Sequence, residues 1–121
     1  MGISERKERE REEMRELIFR AARKLFLTKG YEKTSIRNIA DAIEYSPATI
    51  YLYYQDKNEL LYSIHKDAFQ KMMAELSKVV AISDPFARLE EMGHQYIKYA
   101  LENPELYDLM FVMEAPMEAL A

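Results

Sequence analysis

Three times along this chain a residue able to cap a helix is followed at once by proline: Ser46-Pro47, Asp84-Pro85 and Asn103-Pro104. A side-chain oxygen that accepts free backbone N–H groups, then a residue with a preset φ and no N–H to satisfy, is a helix start. A fourth start stands at Asp56, where Asp-Lys-Asn-Glu places Glu59 three residues after the capping carboxylate, a reciprocal capping arrangement. With only three glycines and four prolines in 121 residues, punctuation sits mainly where helices end. The expected fold class is all-α.

Apolar spacing fills in the helices. Met14, Leu17, Ile18, Ala21, Ala22, Leu25 and Phe26 recur at the three-and-four period and stop at Gly30, which predicts an amphipathic helix with a glycine end. Its opening, ERKEREREE, alternates charge at distances that allow i to i+4 pairs and reads as a solvated face. A second, short helix begins at Thr34 or Ser35 and carries Ile36, Ile39, Ala40 and Ile43. After the interruption at Glu44, Tyr45 and Ser46, a third runs from Pro47 to Tyr54. From Asp56 a long helix extends to about Ala81, with Leu60, Leu61, Ile64, Ala68, Met72, Leu76 and Val79 on its buried side. Pro116 breaks the pattern near the end.

Two short helices at a tight turn have a specific use, the helix-turn-helix, whose second helix enters a DNA major groove. On a wheel of Pro47 to Tyr54, Pro47, Ile50 and Tyr54 share one side. Ala48, Thr49 and Leu52 share the other, flanked by Tyr51 and Tyr53. Small side chains at 48 and 49 let the backbone approach base edges, their methyls and Leu52 suit thymine methyl groups, and the tyrosines can offer hydroxyls to phosphates. No arginine, asparagine or lysine lies between Ser46 and Tyr54. Specificity is therefore expected to rest on methyl contacts, Arg37 and DNA shape.

The ordered run of AARKLF at 21–26, GYEKTSI at 30–36, NIADAI at 38–43, SPATIYLYY at 46–54 and DKNELL at 56–61 resembles the TetR family of transcriptional regulators. The resemblance implies a three-helix helix-turn-helix DNA-binding domain over 1–56, then a long connecting helix and a helical ligand-binding and regulatory domain over 57–121, incomplete for the family. It implies phosphate contact by Thr34, Ser35 and Arg37, a turn and recognition helix made of Ser46, Pro47, Ala48, Thr49, Tyr51, Leu52 and Tyr53, and a phosphate-binding Lys57. Two positions depart from the family pattern: Glu44 stands where a turn glycine is usual, and Tyr54 where phenylalanine is. If the turn keeps a positive φ, Glu44 is strained.

The rear half is rich in methionine and tyrosine: Met72, Met73, Met92, Met110, Met113 and Met117, with Tyr96, Tyr99, Tyr107 and Phe111 interleaved. The resemblance puts an inducer here, and this composition suits a hydrophobic small molecule as well as a plain core. The candidate ligand set is Met72, Met73, Leu76, Tyr96, Tyr99, Tyr107, Met110 and Phe111. The implied mechanism is a ligand-driven shift of the long helix that changes the spacing of two recognition helices in a homodimer on palindromic double-stranded operator DNA, releasing a repressor. Family members generally continue for several more helices, the last two forming the dimer interface, so the chain is expected to be a fragment or to pair differently.

Charge divides along the chain. Residues 1–66 hold 13 Lys and Arg against 11 Asp and Glu, residues 67–121 hold 4 against 10, and the total is −4. A weakly basic head before an acidic rear predicts binding that salt weakens strongly. The acidic balance, Glu44 and the missing helices also suit another reading, a helical protein-interaction module that keeps the scaffold without specific DNA binding. Glu91 and His94 have the spacing of one arm of a di-iron site, but His65 follows Tyr62 where a second arm needs a carboxylate. With no glycine-rich phosphate loop and no nucleophile paired with a base, neither an enzyme, a metal site nor a cofactor is expected. The chain has no cysteine, no apolar run long enough to span a membrane, and a charged N-terminus unlike a signal peptide. The expected location is the cytoplasm.

Overall fold

A computed structural model describes residues 2–112. Pro116, Met113 and Met117 lie outside them. Among the described residues the regular structure is helical: α1 (Ile3–Thr28), α2 (Ile36–Ala42), α3 (Pro47–Tyr51), α4 (Lys57–Ser77), a 3-10 turn (Lys78–Ala81), α5 (Pro85–Glu102), α6 (Pro104–Tyr107) and a π turn (Asp108–Val112). The chain is all-α, as its punctuation predicts. It divides into two compact units between Ile64 and His65, so the first turns of α4 belong with the head rather than with the rear.

In the first unit Ile18, Ala22 and Phe26 of α1, Ile36, Ile39 and Ala40 of α2, Ile50 of α3 and Leu60, Leu61 and Ile64 of α4 are buried. Leu17, read as part of the α1 stripe, is instead 41% exposed. An apolar band one residue wider than its contact leaves its margin in water. The charged opening of α1 is helical and exposed, with Arg11 and Glu8 3.6 Å apart at i to i+3 spacing, and farther along the helix Arg20 and Glu16 pair at 3.0 Å. Such pairs on a wet surface add a few tenths of a kcal/mol each.

Gly30 ends α1 at φ 99°, its N–H donating to the Leu25 carbonyl at 3.2 Å. Only glycine enters this region without strain. The next helix is capped by Ser35: its Oγ accepts from the Asn38 N–H at 3.0 Å, and Asn38 Oδ1 accepts from the Ser35 N–H at 2.9 Å. Asp56 caps α4 by accepting from the Glu59 N–H at 2.9 Å, while Glu59 Oε2 accepts from Gln55, one residue earlier than a strict reciprocal box. The long helix keeps its α geometry to Ser77 and reaches Ala81 by tightening into the 3-10 turn.

In the second unit Ala68, Met72, Val79, Leu106, Leu109 and Met110 are buried, with His65 among them. The His65 ring packs on Phe69 at 4.7 Å, and its Nε2 lies 3.1 Å from the Met110 carbonyl. Asp84 caps α5 through the Ala87 N–H at 3.3 Å. No residue of α5 is fully buried, and its outer stripe leaves Phe86 83%, Leu89 69%, Ile97 57% and Leu101 76% exposed.

Candidate nucleic-acid interface

The turn between α2 and α3 is what aims α3. The chain leaves α2 through Glu44 at φ 61°, the one non-glycine residue with positive φ among the described residues. The N–H groups of Glu44 and Tyr45 close the turn on Asp41 and Ala40 carbonyls at 3.2 and 3.0 Å. Ser46 then caps α3, its Oγ accepting from the Thr49 N–H at 3.4 Å and lying 3.2 Å from Thr49 Oγ1. Pro47 occupies the first turn.

The two sides of α3 part as the wheel requires. Ile50 and Tyr54 are buried, whereas Tyr51 is 53% and Leu52 80% exposed, Ala48 is exposed, and Pro47, Thr49 and Tyr53 are half-buried. The helix is shorter than the spacing suggests. It ends at Tyr51, with Leu52 as its C-cap, because the Leu52 and Tyr53 N–H groups bond three residues back, to Thr49 and Ile50, at 3.2 and 2.9 Å. Burial pushes the Tyr54 phenol above its ordinary value near 10, with Arg15 offsetting part of the shift. Its hydroxyl faces the Arg15 carbonyl at 3.5 Å.

Of the expected phosphate contacts, Ser35 and Arg37 are exposed at the start of α2. Thr34 requires correction. It is 2% exposed, and its hydroxyl donates to the Gly30 carbonyl at 2.7 Å, so the side chain locks the turn after α1 and does not face a duplex. Its neighbour Ser35 is the cap. Lys57 is half-buried, with Nζ donating to the Tyr31 carbonyl at 2.8 Å and lying 4.0 Å from the centre of the Tyr31 ring. The Tyr31 hydroxyl in turn bonds Asn58 Oδ1, and the ring meets Phe26 edge-on at 5.1 Å. Spacing alone did not mark this Tyr31 clamp, which needs a contact across 26 residues of chain. The segment from Arg20 to Arg37 also carries Arg23, Lys24, Lys29 and Lys33 against the single Glu32. This is the most basic part of a chain whose total is negative.

The candidate ligand residues are only partly brought together. Tyr96, Tyr107 and Phe111 form an aromatic cluster, with ring centres 4.9 to 6.2 Å apart and the Tyr96 and Tyr107 hydroxyls bonded at 3.0 Å. That bond, above all, pushes the Tyr96 phenol up. Phe69, not singled out from the sequence, joins through Phe111 at 5.1 Å. Tyr99 donates to Met110 Sδ at 3.5 Å. Met72 is buried, Leu76 is half-buried, and Met73 is 57% exposed because it follows Met72 by one residue and so leaves the inner face. A cleft of about 310 Å³ in the same unit is lined by Glu75, Lys78, Val79, Ile82, Glu91 and Gln95, none of them in the candidate set. Glu91 and His94 approach to 3.8 Å on the surface, and no cluster of three metal-ligating side chains occurs among the described residues. No helix among those residues is long and apolar enough to cross a membrane.

The family model described as "Bacterial regulatory proteins, tetR family" matches residues 18–64, from the buried part of α1 to the early turns of α4. An uncharacterized HTH-type transcriptional regulator of Haemophilus influenzae is 32% identical over 95 residues, 78% of this chain and 51% of the relative. The HTH-type transcriptional regulator HbdR of Aromatoleum is 34% identical over 79 residues, 64% of this chain and 34% of HbdR. The chain thus spans about half the length of the first relative and a third of the second. Among solved structures, the TetR family regulator PfmR of Thermus thermophilus aligns with a TM-score of 0.65 and 29% identity, over 86% of this chain and 60% of its own. A TetR family regulator of Marinobacter aquaeolei aligns with 0.66 and 27%, over 92% and 63%. Over residues 18–64 the chain belongs to the TetR family of transcriptional regulators, and over most of its length it resembles solved regulators of that family.

Proposed function

We propose that this chain binds double-stranded operator DNA through α3 and regulates transcription, as a repressor whose hold on the operator is released by a hydrophobic small molecule. The observation that carries the reading is the flank of exposed Ala48, Tyr51 and Leu52 with half-buried Thr49, opposite a buried Ile50 and inside the segment that matches the family. Ser35, Arg37, Ser46, Pro47 and Tyr53 complete the contact surface, with Lys57 presenting its ammonium from the Tyr31 clamp. The chain acts as a homodimer on a palindrome in the cytoplasm, since one five-residue helix offers too few base contacts to discriminate sites alone.

The release site lies in the unit that begins at His65, and the cluster of Tyr96, Tyr107, Phe111 and Phe69 is its aromatic wall. A gel shift with a selected duplex and with random DNA tests binding. Ligand release is tested by titrating a bound duplex with hydrophobic compounds and measuring compound affinity with and without DNA. Equal affinities in the two cases would refute the coupling.

The net charge of −4 and the bare apolar stripe of α5 favour a second reading, a helical interaction module without specific DNA binding. Retention on heparin together with a gel shift supports the first reading; failure of both supports the second.

A further inference from the structure

We propose that α3 selects DNA through the C5-methyl groups of thymine, so that the preferred half-site carries thymines where α3 meets the major groove. The inference rests on the DNA-binding reading and specifies the substrate of that surface. A base edge is read either by paired donors and acceptors or by apolar contact with the thymine methyl. On α3 the charged and amide options are absent, the Ser46, Thr49 and Tyr54 hydroxyls are engaged, and the Tyr51 and Tyr53 hydroxyls suit phosphates.

From Ser46 to Tyr54 there is no Arg, Lys, Asn, Gln, Asp or Glu. The Ser46 hydroxyl accepts from the Thr49 N–H and lies 3.2 Å from the Thr49 hydroxyl, so these two groups satisfy the start of the helix and each other. The Tyr54 hydroxyl is turned inward to the Arg15 carbonyl. Asn38 is the amide on α2 that would otherwise suit adenine. A bidentate pair needs its Oδ1, and that oxygen already accepts from the Ser35 N–H at 2.9 Å and from Lys29 Nζ at 3.1 Å.

What remains outward is apolar: the Ala48 methyl, the Thr49 methyl and the Leu52 isobutyl group at 80% exposure, beside the Tyr51 ring. A single exposed leucine is ordinary on a protein surface. Here it stands at the C-cap of the one helix built to meet a groove, next to two small residues that let the backbone come close. In the major groove, thymine alone of the four unmodified bases offers a methyl partner. The basic run before α2 then supplies affinity without sequence.

The test uses the whole 121-residue chain. Duplexes are selected from a random pool, and in the tightest one each thymine is replaced singly by deoxyuridine, which keeps every pairing atom and the O4 acceptor and lacks the methyl alone. Affinity at fixed salt is expected to fall about threefold to fivefold at one to three positions, the effect of one buried methyl group. Positions outside the footprint should not respond. At a responsive position a 5-methylcytosine pair should bind more tightly than a cytosine pair, and Leu52→Ala should remove the deoxyuridine penalty at one position. A selected duplex that keeps its full affinity with every thymine replaced overturns the inference while leaving DNA binding intact. Failure to enrich any duplex over bulk DNA overturns the DNA-binding reading, and this inference with it.

Discussion

Replacing Glu44 isolates the backbone strain at the turn that aims α3. An L-residue in the left-handed region costs roughly 1 to 2 kcal/mol, and Glu44 sits there at φ 61°. Glycine removes that cost but loosens the unfolded chain, which takes back about 0.4 to 1 kcal/mol. Comparing Glu44→Gly with Glu44→Ala cancels the loss of the exposed carboxylate, since both lack it and only alanine keeps a Cβ. The expected difference is about 0.5 to 1 kcal/mol in favour of glycine, a rise in melting temperature of roughly 2 to 5 °C for a chain of this size. Urea unfolding followed by circular dichroism measures it, with an unchanged m-value as the check that only stability has moved. Glu44→Asn should fall between the two, because asparagine tolerates this region better than alanine. If Glu44→Ala proves as stable as Glu44→Gly, the turn does not hold a positive φ in solution, and the orientation of α3 derived from it fails.

Ser35→Ala removes one half of the α2 cap and should cost about 1 kcal/mol, read as a lower urea midpoint. Ile50→Ala should cost roughly 2 to 5 kcal/mol because Ile50 is fully buried, whereas Leu52→Ala should stay within about 0.5 kcal/mol in the same assay. Arg37→Ala should flatten the dependence of log affinity on log salt by about one unit if Arg37 meets a phosphate; if it reads a base, it should cost about 1 to 3 kcal/mol on the selected duplex only. No effect on either DNA removes Arg37 from the interface. Because burial raises the Tyr54 value, its contribution is whole below about pH 10 and lost as pH climbs through the raised folded value. Tyr54→Phe should therefore flatten the alkaline fall in stability, and identical pH profiles would contradict the burial argument.

Helix starts were legible because caps and prolines act within a few residues of themselves. Ser46, Asp56 and Asp84 all accept the N–H three residues on. The inner and outer sides of α3 were legible for the same reason. Thr34 was misread because two adjacent hydroxyls are equivalent on paper. Only the path set by Gly30 decides that one turns inward to its carbonyl and the other caps. The length of α3 depended on a tightening after Thr49 that no residue type announces. In the rear unit, spacing recovered Tyr96, Tyr107 and Phe111 but missed Phe69, which joins them from α4 across more than forty residues of chain. Periodicity marks an amphipathic helix in α5 but does not say which side finds neighbours. Its apolar stripe stays bare, while polar Glu91 and Gln95 line the cleft.

The Tyr31 clamp changes what Lys57 brings to an encounter with a polyanion. A free lysine swings through many rotamers and must surrender that freedom when it grips a phosphate. Here a carbonyl on one hydrogen and an aromatic face beneath the ammonium have immobilised the side chain before any duplex arrives. The ordering penalty falls on folding instead of on association.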